Sequence, residues 1–297
     1  MPETHHVILD TDIGSDVDDA LALAQILGTE EIDLLGVTTV YGDVLLRARL
    51  ARRLASLAGR DIAVHAGIGE PRSGREVWWA GHEGSLHADL ETEHVDPLPA
   101  VDFLTQTVLA RPGEIDVIAI GPLTNIAAAI EVDGFAEAVR HLWIMGGAFT
   151  DDEVEHNLRS DVAAAERVFA AGIPTTITGL EVTRRLEIRA DQLGRIAGAG
   201  PLGASLQADV QQWWDFWNEE WNVPHDPVTV LTMLRPELFA FGPVGRISLV
   251  AEGEHEGRST FHPDPSGSIR VALSVDATAA AESIVAAIIA ASPAPAA

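Results

Sequence analysis

The chain has 297 residues, 47% of them hydrophobic, and a formal net charge of −26. It contains no cysteine, which excludes disulfides, thiolate metal sites and cysteine nucleophiles. All 19 basic residues are arginine, and the excess of acid disfavours nucleic acid or an anionic membrane as a partner, because phosphate groups would be repelled over much of the surface. A solubility or salt adaptation is the simplest explanation of this charge, and a small uncharged substrate would escape the repulsion.

The chain shows no internal boundary. No linker rich in Pro, Gly or Ser divides it, which predicts one domain over residues 1–297. The first residues lack the basic start and apolar core of a signal peptide, and no apolar run is long enough to span a bilayer. We therefore expect a cytoplasmic protein.

Apolar runs of strand length alternate with helical stretches. The predicted strand and helix pairs are Val7–Asp10 with Asp18–Leu27, Ile32–Val40 with Val44–Ala58, Ile115–Ile120 with Leu123–Ile130, and Leu142–Met145 with Asp161–Ala171. This alternation is typical of parallel strands joined by right-handed helical crossovers. The sequence therefore predicts an α/β fold, with an open, mostly parallel, Rossmann-like sheet and helices on both faces.

Polar or glycine-rich loops follow all four predicted strands. These loops contain Asp10 and Asp12, then residues 41–43, then Gly121–Pro122, and finally Gly146–Gly147. In open α/β sheets, ligands bind beyond the carboxyl ends of the strands, near a switch in strand order. We expect the four loops to share one rim there.

The last third of the chain is predicted to be helix-rich, with residues 191–235 covering a bound substrate. A long helix is predicted over Leu206–Trp221, and it carries Trp213, Trp214, Trp217 and Trp221. Their spacing places most of the indoles on one helical face, which either packs against the body or a partner subunit, or forms an aromatic wall for a ligand. Ala277–Ala291 is predicted to be a closing helix and Ser292–Ala297 a frayed end.

An acidic cluster marks the first strand-to-helix turn. Five carboxylates lie between Asp10 and Asp19, and they would repel one another unless they took up protons or held a cation. Calcium accepts six to eight oxygen ligands with loose geometry and suits such a turn better than zinc does. A solvated helix N-terminus would explain Asp16 or Asp18 alone, so the density of charge favours a cation site.

The chain resembles the inosine-uridine-preferring nucleoside hydrolases through a series of short motifs. The matching residues are Asp10, Asp12, Gly14, Asp18 and Asp19 in the acidic turn, then GVTTVYGD at 36–43, AIGPLTNIA at 119–127, LWIMGGAF at 142–149, VEHN at 154–157 and HDP at 225–227. Each motif alone is weak. Their order and spacing from Asp10 to Pro227 make the resemblance specific.

The resemblance implies a calcium site and a general base. The carboxylates of Asp12, Asp19 and Asp226, together with the main-chain carbonyl of Ile120, would hold Ca²⁺. Asp12 would also accept a proton from the attacking water, and Asp10 would orient its neighbours.

The resemblance also implies a set of substrate contacts. Asp18, Glu155 and Asn157 would hold the ribose hydroxyls, and Met145 would lie under the sugar. His225 would stand near the leaving base and donate a proton to it. His82 is either part of a mobile lid over the pocket or a plain turn histidine, with equal weight.

Two departures from the family pattern bear on substrate preference. The family usually has Asn after the second strand, whereas this chain has Asp43, which we expect beside the substrate, adding negative charge near the metal. The loop between Gly147 and Glu155 is short and lacks an Asn that often helps to hold the sugar. Asp151 or Asp152 is the candidate replacement.

The implied activity is hydrolysis of the N-glycosidic bond of a small-molecule ribonucleoside, with inversion at C1′, by an enzyme that forms a homodimer or homotetramer. One alternative is a magnesium-dependent phosphohydrolase of the haloacid dehalogenase type, which also begins with a strand and Asp-x-Asp but needs a basic residue, usually Lys, that this chain lacks. Another is a catalytically silent member of the fold that binds ribosides or other proteins. The sequence leaves the choice between purine and pyrimidine open.

Overall fold

A ten-stranded sheet forms the centre of the computed structural model, which describes residues 4–292. The strands are β1 (His5–Thr11), β2 (Ile32–Thr39), β3 (Val64–Ala66), β4 (Ile115–Ala119), β5 (Val139–Met145), β6 (Thr175–Thr178), β7 (Ile188–Arg189), β8 (Trp221–Asn222), β9 (Phe239–Phe241), β10 (Gly245–Leu249), β11 (Ser259–Pro263) and β12 (Ile269–Val275). β7 and β8 form a separate antiparallel pair.

The strand order places a ligand site between β1 and β4. Strands β3-β2-β1-β4-β5-β6 are neighbours and all parallel, and β12 continues the parallel part beside β6. β9, β10 and β11 add an antiparallel edge. The chain builds outward from β1 to β3 and then returns to the other side of β1 with β4, so the order reverses at the β1–β4 pair, where open α/β sheets bind ligands.

Helices cover both faces of this sheet. They are α1 (Asp18–Leu27), α2 (Val44–Leu57), α3 (Ala100–Ala110), α4 (Thr124–Ala129), α5 (Phe135–Ala138), α6 (His156–Ser160), α7 (Val162–Phe169), α8 (Leu180–Thr183), α9 (Ala190–Ala197), α10 (Pro201–Trp217), α11 (His225–Leu234) and α12 (Ala277–Ala290). Short 3₁₀ helices lie at Leu90–Thr92 and Pro236–Leu238.

Two hydrophobic clusters, one on each face, hold the helices against the sheet. Successive side chains of a strand point to opposite faces. Accordingly Val7 and Leu9 of β1 join the cluster that α1, α10, α11 and α12 share, whereas Ile8 joins the cluster of α3, α4 and α7. The predicted α/β class, mostly parallel sheet and two helical layers are confirmed.

The four predicted strand and helix pairs are present, with ends that differ by a few residues. The predicted helix over Leu206–Trp221 is shifted: α10 begins at Pro201 and ends at Trp217. Proline at the first position favours the start, and Asn218 ends the helix with a left-handed φ of 55°, a conformation that stops helices and that asparagine tolerates. Trp221 therefore belongs to β8.

The closing helix is present as α12, capped by Asp276, whose side chain accepts a hydrogen bond from Ala279 N. Of the predicted frayed end, residues 293–297 lie outside the described residues. Between residues 4 and 292, no helix combines the length and the apolar character needed to cross a membrane.

Candidate active site

A cavity of ≈ 640 Å³ opens at the carboxyl ends of β1, β4 and β5. Asp12, Ile120 and Met145 line it directly after or at the end of these three strands. Close approach is possible here because residue 121 is glycine: a Cβ atom there would lie 2.7 Å from Asp12 Oδ1. Three of the four predicted rim loops therefore meet at one cavity, and the loop after β2 contributes none of its lining.

The starts of two helices bring distant carboxylates into this cavity. Asp18 and Asp19 open α1, Asp226 lies in the first turn of α11, and α1 packs against α11. Oxygens of these three side chains lie within 4.8 Å of one another, and all three residues are buried. Asp12 and Asp16 line the same cavity.

The carboxylates destabilise one another's ionised forms. Burial, followed by repulsion from the neighbouring acids, raises the pKa of Asp18, Asp19 and Asp226 well above its usual range. Burial also raises the pKa of Asp16 to about 7 and that of Asp12 above its ordinary value, although the charge of Arg47 lowers the latter in part. A cation would remove this electrostatic cost.

The donor set fits a hard divalent cation. All the converging side chains offer carboxylate oxygens, which calcium and magnesium prefer and zinc does not. Asp10 lies two residues before Asp12, and one of its buried carboxylate oxygens, Oδ2, has no hydrogen-bond partner. Its Oδ1 accepts from Thr38 Oγ1 at 2.6 Å and from Asn125 Nδ2 at 2.7 Å, and burial raises its pKa to about 7.

The group of three carboxylates that converge here overlaps the predicted ligand set in Asp19 and Asp226 and also contains Asp18. The predicted carboxylate ligands are Asp12, Asp19 and Asp226, whereas the three closest carboxylates are Asp18, Asp19 and Asp226. Asp12 faces the same space and interacts electrostatically with all three. Thr11 Oγ1 donates a hydrogen bond to Asp19 Oδ1 and fixes that carboxylate from behind.

Two more of the predicted ribose-binding residues, Glu155 and Asn157, line the cavity at the start of α6. Glu155 caps α6: its side chain accepts hydrogen bonds from Asn157 N at 2.6 Å, Leu158 N at 3.0 Å and Gly147 N at 3.0 Å. Asn157 Nδ2 donates to the carbonyl of Ile120 at 2.8 Å, so it holds the main-chain oxygen that is predicted to bind calcium. Glu155 thus fixes the start of the helix that carries Asn157, as well as facing the cavity.

His225 is a neutral imidazole at the cavity wall. Burial, with a smaller contribution from the charge of Arg184, lowers the pKa of His225 to about 4. Its Nδ1 lies 2.7 Å from Thr183 Oγ1, which fixes the ring. The ring lines the cavity beside Asp226.

Several predicted contacts are not brought to the cavity. Asp43 is exposed and caps α2, where Oδ1 accepts a hydrogen bond from Leu46 N at 3.0 Å; it does not add negative charge to the cavity lining. Asp151 and Asp152 are exposed, and Asp152 pairs with Arg258 at 2.9 Å, so neither replaces the missing Asn. His82 stands behind the lining, with Nε2 2.9 Å from the carbonyl of Ser15.

The tryptophans divide between core and cavity. Trp214 is buried and donates from Nε1 to Asn222 Oδ1 at 3.0 Å. Trp213, Trp217 and Trp221 line the cavity, as does Trp78 from the loop after β3. Core packing therefore describes Trp214, whereas Trp213, Trp217 and Trp221 lie where an aromatic wall for a ligand is predicted.

Arg47 is the most consequential residue that the motifs missed. It is fully buried in α2 and donates to the main-chain carbonyls of Asp12, Ile13 and Tyr41, the last two at 2.8 and 2.6 Å. This fixes the backbone of the acidic turn. A signal was present, because Arg47 continues the apolar stripe of Leu50, Ala51 and Leu54 along one face of α2.

Three further lining residues were also missed. His156, between Glu155 and Asn157, is an exposed imidazole that packs edge-on against Tyr41 at 5.9 Å and Trp78 at 5.8 Å, and its charge lowers the pKa of Asp12. Glu153 and Arg184 form an ion pair at the cavity, with Arg184 Nη2 2.6 Å from Glu153 Oε1. His156 lies inside the VEHN motif, from which only Glu155 and Asn157 were given roles, whereas Glu153 and Arg184 lie outside every motif.

The fold and the cavity define an α/β protein with a carboxylate-rich ligand site at the switch point of its sheet. Residues 7–282 match the family described as inosine-uridine preferring nucleoside hydrolase. The chain therefore belongs to that family, whose members are metal-dependent enzymes that hydrolyse nucleosides.

Individual relatives agree with this assignment. Uridine nucleosidase 1 of Arabidopsis thaliana is 31% identical over 255 residues, 79% of this chain and 75% of the relative. The pyrimidine-specific ribonucleoside hydrolase RihB of Escherichia coli O9:H4 is 30% identical over 221 residues, 70% of each chain. Among solved structures, the plant nucleoside hydrolase PpNRh1 superposes with a TM-score of 0.86 at 26% identity, covering 97% of this chain and 99% of that one.

A purine-preferring ribonucleoside hydrolase from Gardnerella vaginalis is similar as well, with a TM-score of 0.84, 25% identity, and coverage of 96% and 98%. Relatives with different base preferences thus share this fold.

Proposed function

We propose that this chain hydrolyses the N-glycosidic bond of ribonucleosides to ribose and free base, using a bound calcium ion and Asp12 as the general base. The observation that carries the proposal is the convergence of Asp18, Asp19 and Asp226 beside Asp12 at the switch point of the sheet. Acidic residues distant in sequence are buried there together, at a cost that a divalent cation offsets.

In this proposal Asp12, Asp19, Asp226 and the carbonyl of Ile120 hold the metal. A bound calcium ion supplies positive charge that neutralises these carboxylates and lowers the pKa of water. Asp12 then accepts the proton as water attacks C1′, because it faces the cavity and is the carboxylate that the motif assigns to this role.

The remaining lining residues hold the sugar and the leaving base. Asp18, Glu155 and Asn157 bind ribose hydroxyls, Glu155 also caps the helix that carries Asn157, and Met145 lies under the sugar. Holding the ring in one orientation accelerates attack by a single water, which inverts the configuration at C1′. His225 stands by the leaving base, where the N–H of its neutral imidazole donates a hydrogen bond to the departing nitrogen as that atom gains negative charge.

Three predictions accompany this proposal without further support from the geometry. Residues 1–297 form one domain in which residues 191–235 cover the substrate. The enzyme is cytoplasmic. It assembles as a homodimer or homotetramer.

A reducing-sugar assay tests the proposed activity. Uridine is the first substrate to try, since Uridine nucleosidase 1 and RihB are similar to this chain, and cytidine, inosine, adenosine and 2′-deoxyuridine complete the panel. We expect ribose release with added calcium, loss of release in EDTA, and no cleavage of the 2′-deoxynucleoside. Release of phosphate from phosphate esters in place of ribose would instead point to a phosphohydrolase.

The Asp12→Ala variant tests the general base. Loss of a general base lowers turnover by about 10²–10⁴-fold. Asp43→Asn is the matched control, because Asp43 is exposed and outside the cavity, and it should retain wild-type activity. Ribose release by Asp12→Ala above about a tenth of the wild-type rate would contradict the assignment. A wild type that binds nucleosides but releases no ribose would identify a silent, riboside-binding member.

A further inference from the structure

One loop segment connects the acidic turn to the aromatic side of the cavity. Residues 78–83, here called the wall segment, follow β3 and place Trp78 in the cavity lining. Trp78 N donates to Tyr41 Oη at 2.7 Å, which fixes one end of the segment. Glu83 lies at the other end and is buried.

The Glu83 carboxylate closes the wall segment on itself. Its Oε1 accepts a hydrogen bond from Ala80 N at 2.7 Å, and its Oε2 accepts one from Gly81 N at 2.7 Å. Burial alone would raise the pKa of Glu83, but the hydrogen bonds from Ser15 and from main-chain amides lower it below its ordinary value. Glu83 is therefore an ionised acid whose two oxygens are both occupied by protein donors.

The same carboxylate reaches the acidic turn. Ser15, between Gly14 and Asp16, donates from Oγ to Glu83 Oε1 at 2.8 Å and accepts from Arg47 Nη2 at 3.2 Å. The carbonyl of Ser15 accepts from His82 Nε2 at 2.9 Å. The hydroxyl of Ser15 is thus held by Glu83 and Arg47, and its main-chain carbonyl is held by His82.

The wall segment also contacts α10. The ring of His82 packs edge-on against Trp213 at 6.0 Å and Phe216 at 5.2 Å, and Trp213 lines the cavity. A chain of direct contacts therefore runs from the carboxylate-bearing turn through Ser15 and the wall segment to the aromatic face of α10.

We propose that Glu83 is a positioning residue that holds the aromatic cavity wall at a fixed distance from the acidic turn. The inference rests on the proposed function. Ribose and base are joined by a single bond, so a site that binds the sugar at the acidic turn and the base at Trp78 and Trp213 needs these two surfaces in fixed register. Glu83 fixes the distance between these two surfaces through its hydrogen bond with Ser15, without touching the substrate or the metal.

The test compares Glu83→Gln and Ser15→Ala with wild type in steady-state kinetics. Glu83→Gln keeps the shape but presents an amide N–H to a main-chain or hydroxyl donor, and Ser15→Ala removes the same link from the other side. We expect the KM for uridine to rise about tenfold in each variant while kcat changes less than about threefold, as for loss of one charge-assisted hydrogen bond that affects binding alone.

The double variant should show no larger rise in KM than either single variant, because both remove one link. Glu76→Gln is the matched control: Glu76 is exposed in the same loop, and its KM should equal that of wild type. Calcium binding, measured by calorimetry, should keep its stoichiometry in all variants. Circular dichroism identifies a variant that fails to fold. In that case the KM of the other single variant tests the proposal.

Each other outcome overturns the proposal. A lower Tm with unchanged KM would show that Glu83 only stabilises the fold. A loss of kcat with unchanged KM would place Glu83 in the chemistry or at the metal. If wild type releases no ribose, the proposed function fails, and the Kd for uridine, measured by calorimetry, takes the place of KM. The positioning role also fails if Glu83→Gln leaves that Kd unchanged, or if wild type does not bind uridine.

Discussion

We expect the carboxylate of Asp226 to have opposite effects on stability and activity: its charge lowers the stability of the metal-free protein and is needed to bind the metal. This carboxylate lies within 4.8 Å of those of Asp18 and Asp19, and burial, followed by repulsion from these neighbours, raises its pKa well above the ordinary range. Without a cation, the folded state must either keep protons on these three carboxylates or accept repulsion between their ionised forms. Removing one charge should therefore have opposite effects with and without metal.

We expect Asp226→Asn to raise the Tm of the metal-free protein, because it relieves repulsion while keeping the size of the side chain. The same variant should lose ribose release and most of the Tm increase that calcium gives to wild type. Differential scanning calorimetry in EDTA and in calcium measures both effects. Asp43→Asn makes the same chemical change at an exposed helix cap, where Asn caps as well as Asp, and should alter neither value. A Tm in EDTA below that of wild type would contradict the explanation.

Single residues also show where sequence reasoning succeeds and where it stops. The motifs identified Asp12, Asp19 and Asp226, and the structure places all three at one cavity because β1 ends there and α1 and α11 begin there. They misplaced Asp43, whose side chain caps α2 instead of facing the cavity. A motif gives the order of residues along the chain, whereas the direction of a side chain depends on which unpaired backbone group lies beside it.

Helix α10 is the element whose two faces have different tasks. Trp214 is 4% exposed and packs in the core, whereas Trp217, three residues on, is 54% exposed and lines the cavity. We expect Trp214→Ala to lower the free energy of unfolding by about 3–5 kcal/mol, as for other buried aromatic truncations. Trp217→Ala should leave that free energy nearly unchanged and raise the KM for nucleosides.

Urea denaturation and steady-state kinetics on the two variants measure this division. Because both change one indole to a methyl group on the same helix, each serves as the control for the other. Equal losses of stability would show that Trp217 belongs to the core, and an unchanged KM in Trp217→Ala would remove it from the substrate site.

The end of α10 also explains an error in the predicted elements. Apolar periodicity continues to Trp221, but Asn218 adopts a left-handed conformation and the chain turns into β8. Hydrophobic spacing does not register a change in a single φ angle. By contrast the long helices α1, α2 and α12 were predicted nearly to their ends, since each follows a strand or a capping aspartate and carries a continuous apolar face.

At the scale of the whole molecule, the strand order decides where the chemistry lies. The sequence predicted a parallel sheet with polar loops at one rim, and the order β3-β2-β1-β4-β5-β6 puts the switch point between β1 and β4. The antiparallel strands β9, β10 and β11 were not predicted, because their short runs lack a following helix. They lie at the edge of the sheet opposite β3, and none of their residues lines the cavity.

The coupling of stability, protons and metal is a property of the whole molecule. In the metal-free state, burial raises the pKa of Asp10 and Asp16 to about 7, and that of Asp18, Asp19 and Asp226 well above its ordinary value. The folded protein then holds protons that the unfolded chain releases above about pH 4. Stability from these groups is therefore fully present below that pH and is lost as the pH rises through 7.

Calcium binds the deprotonated carboxylates and competes with these protons. We therefore expect the Tm increase caused by calcium to be large at pH 7.5 and small at pH 5.5, where the carboxylates are protonated. Calcium at about 100 times its Kd stabilises a folded protein by about 2.7 kcal/mol, which calorimetry resolves. Burial lowers the pKa of His141 and of His225 to about 4, so the stability that these neutral rings contribute is lost as the pH falls below the unfolded value near 6.5. Both rings stay neutral in the folded protein at pH 5.5 and 7.5, with or without calcium, so the difference in Tm isolates the carboxylates. A calcium effect that is the same at both pH values would show that the ion binds elsewhere.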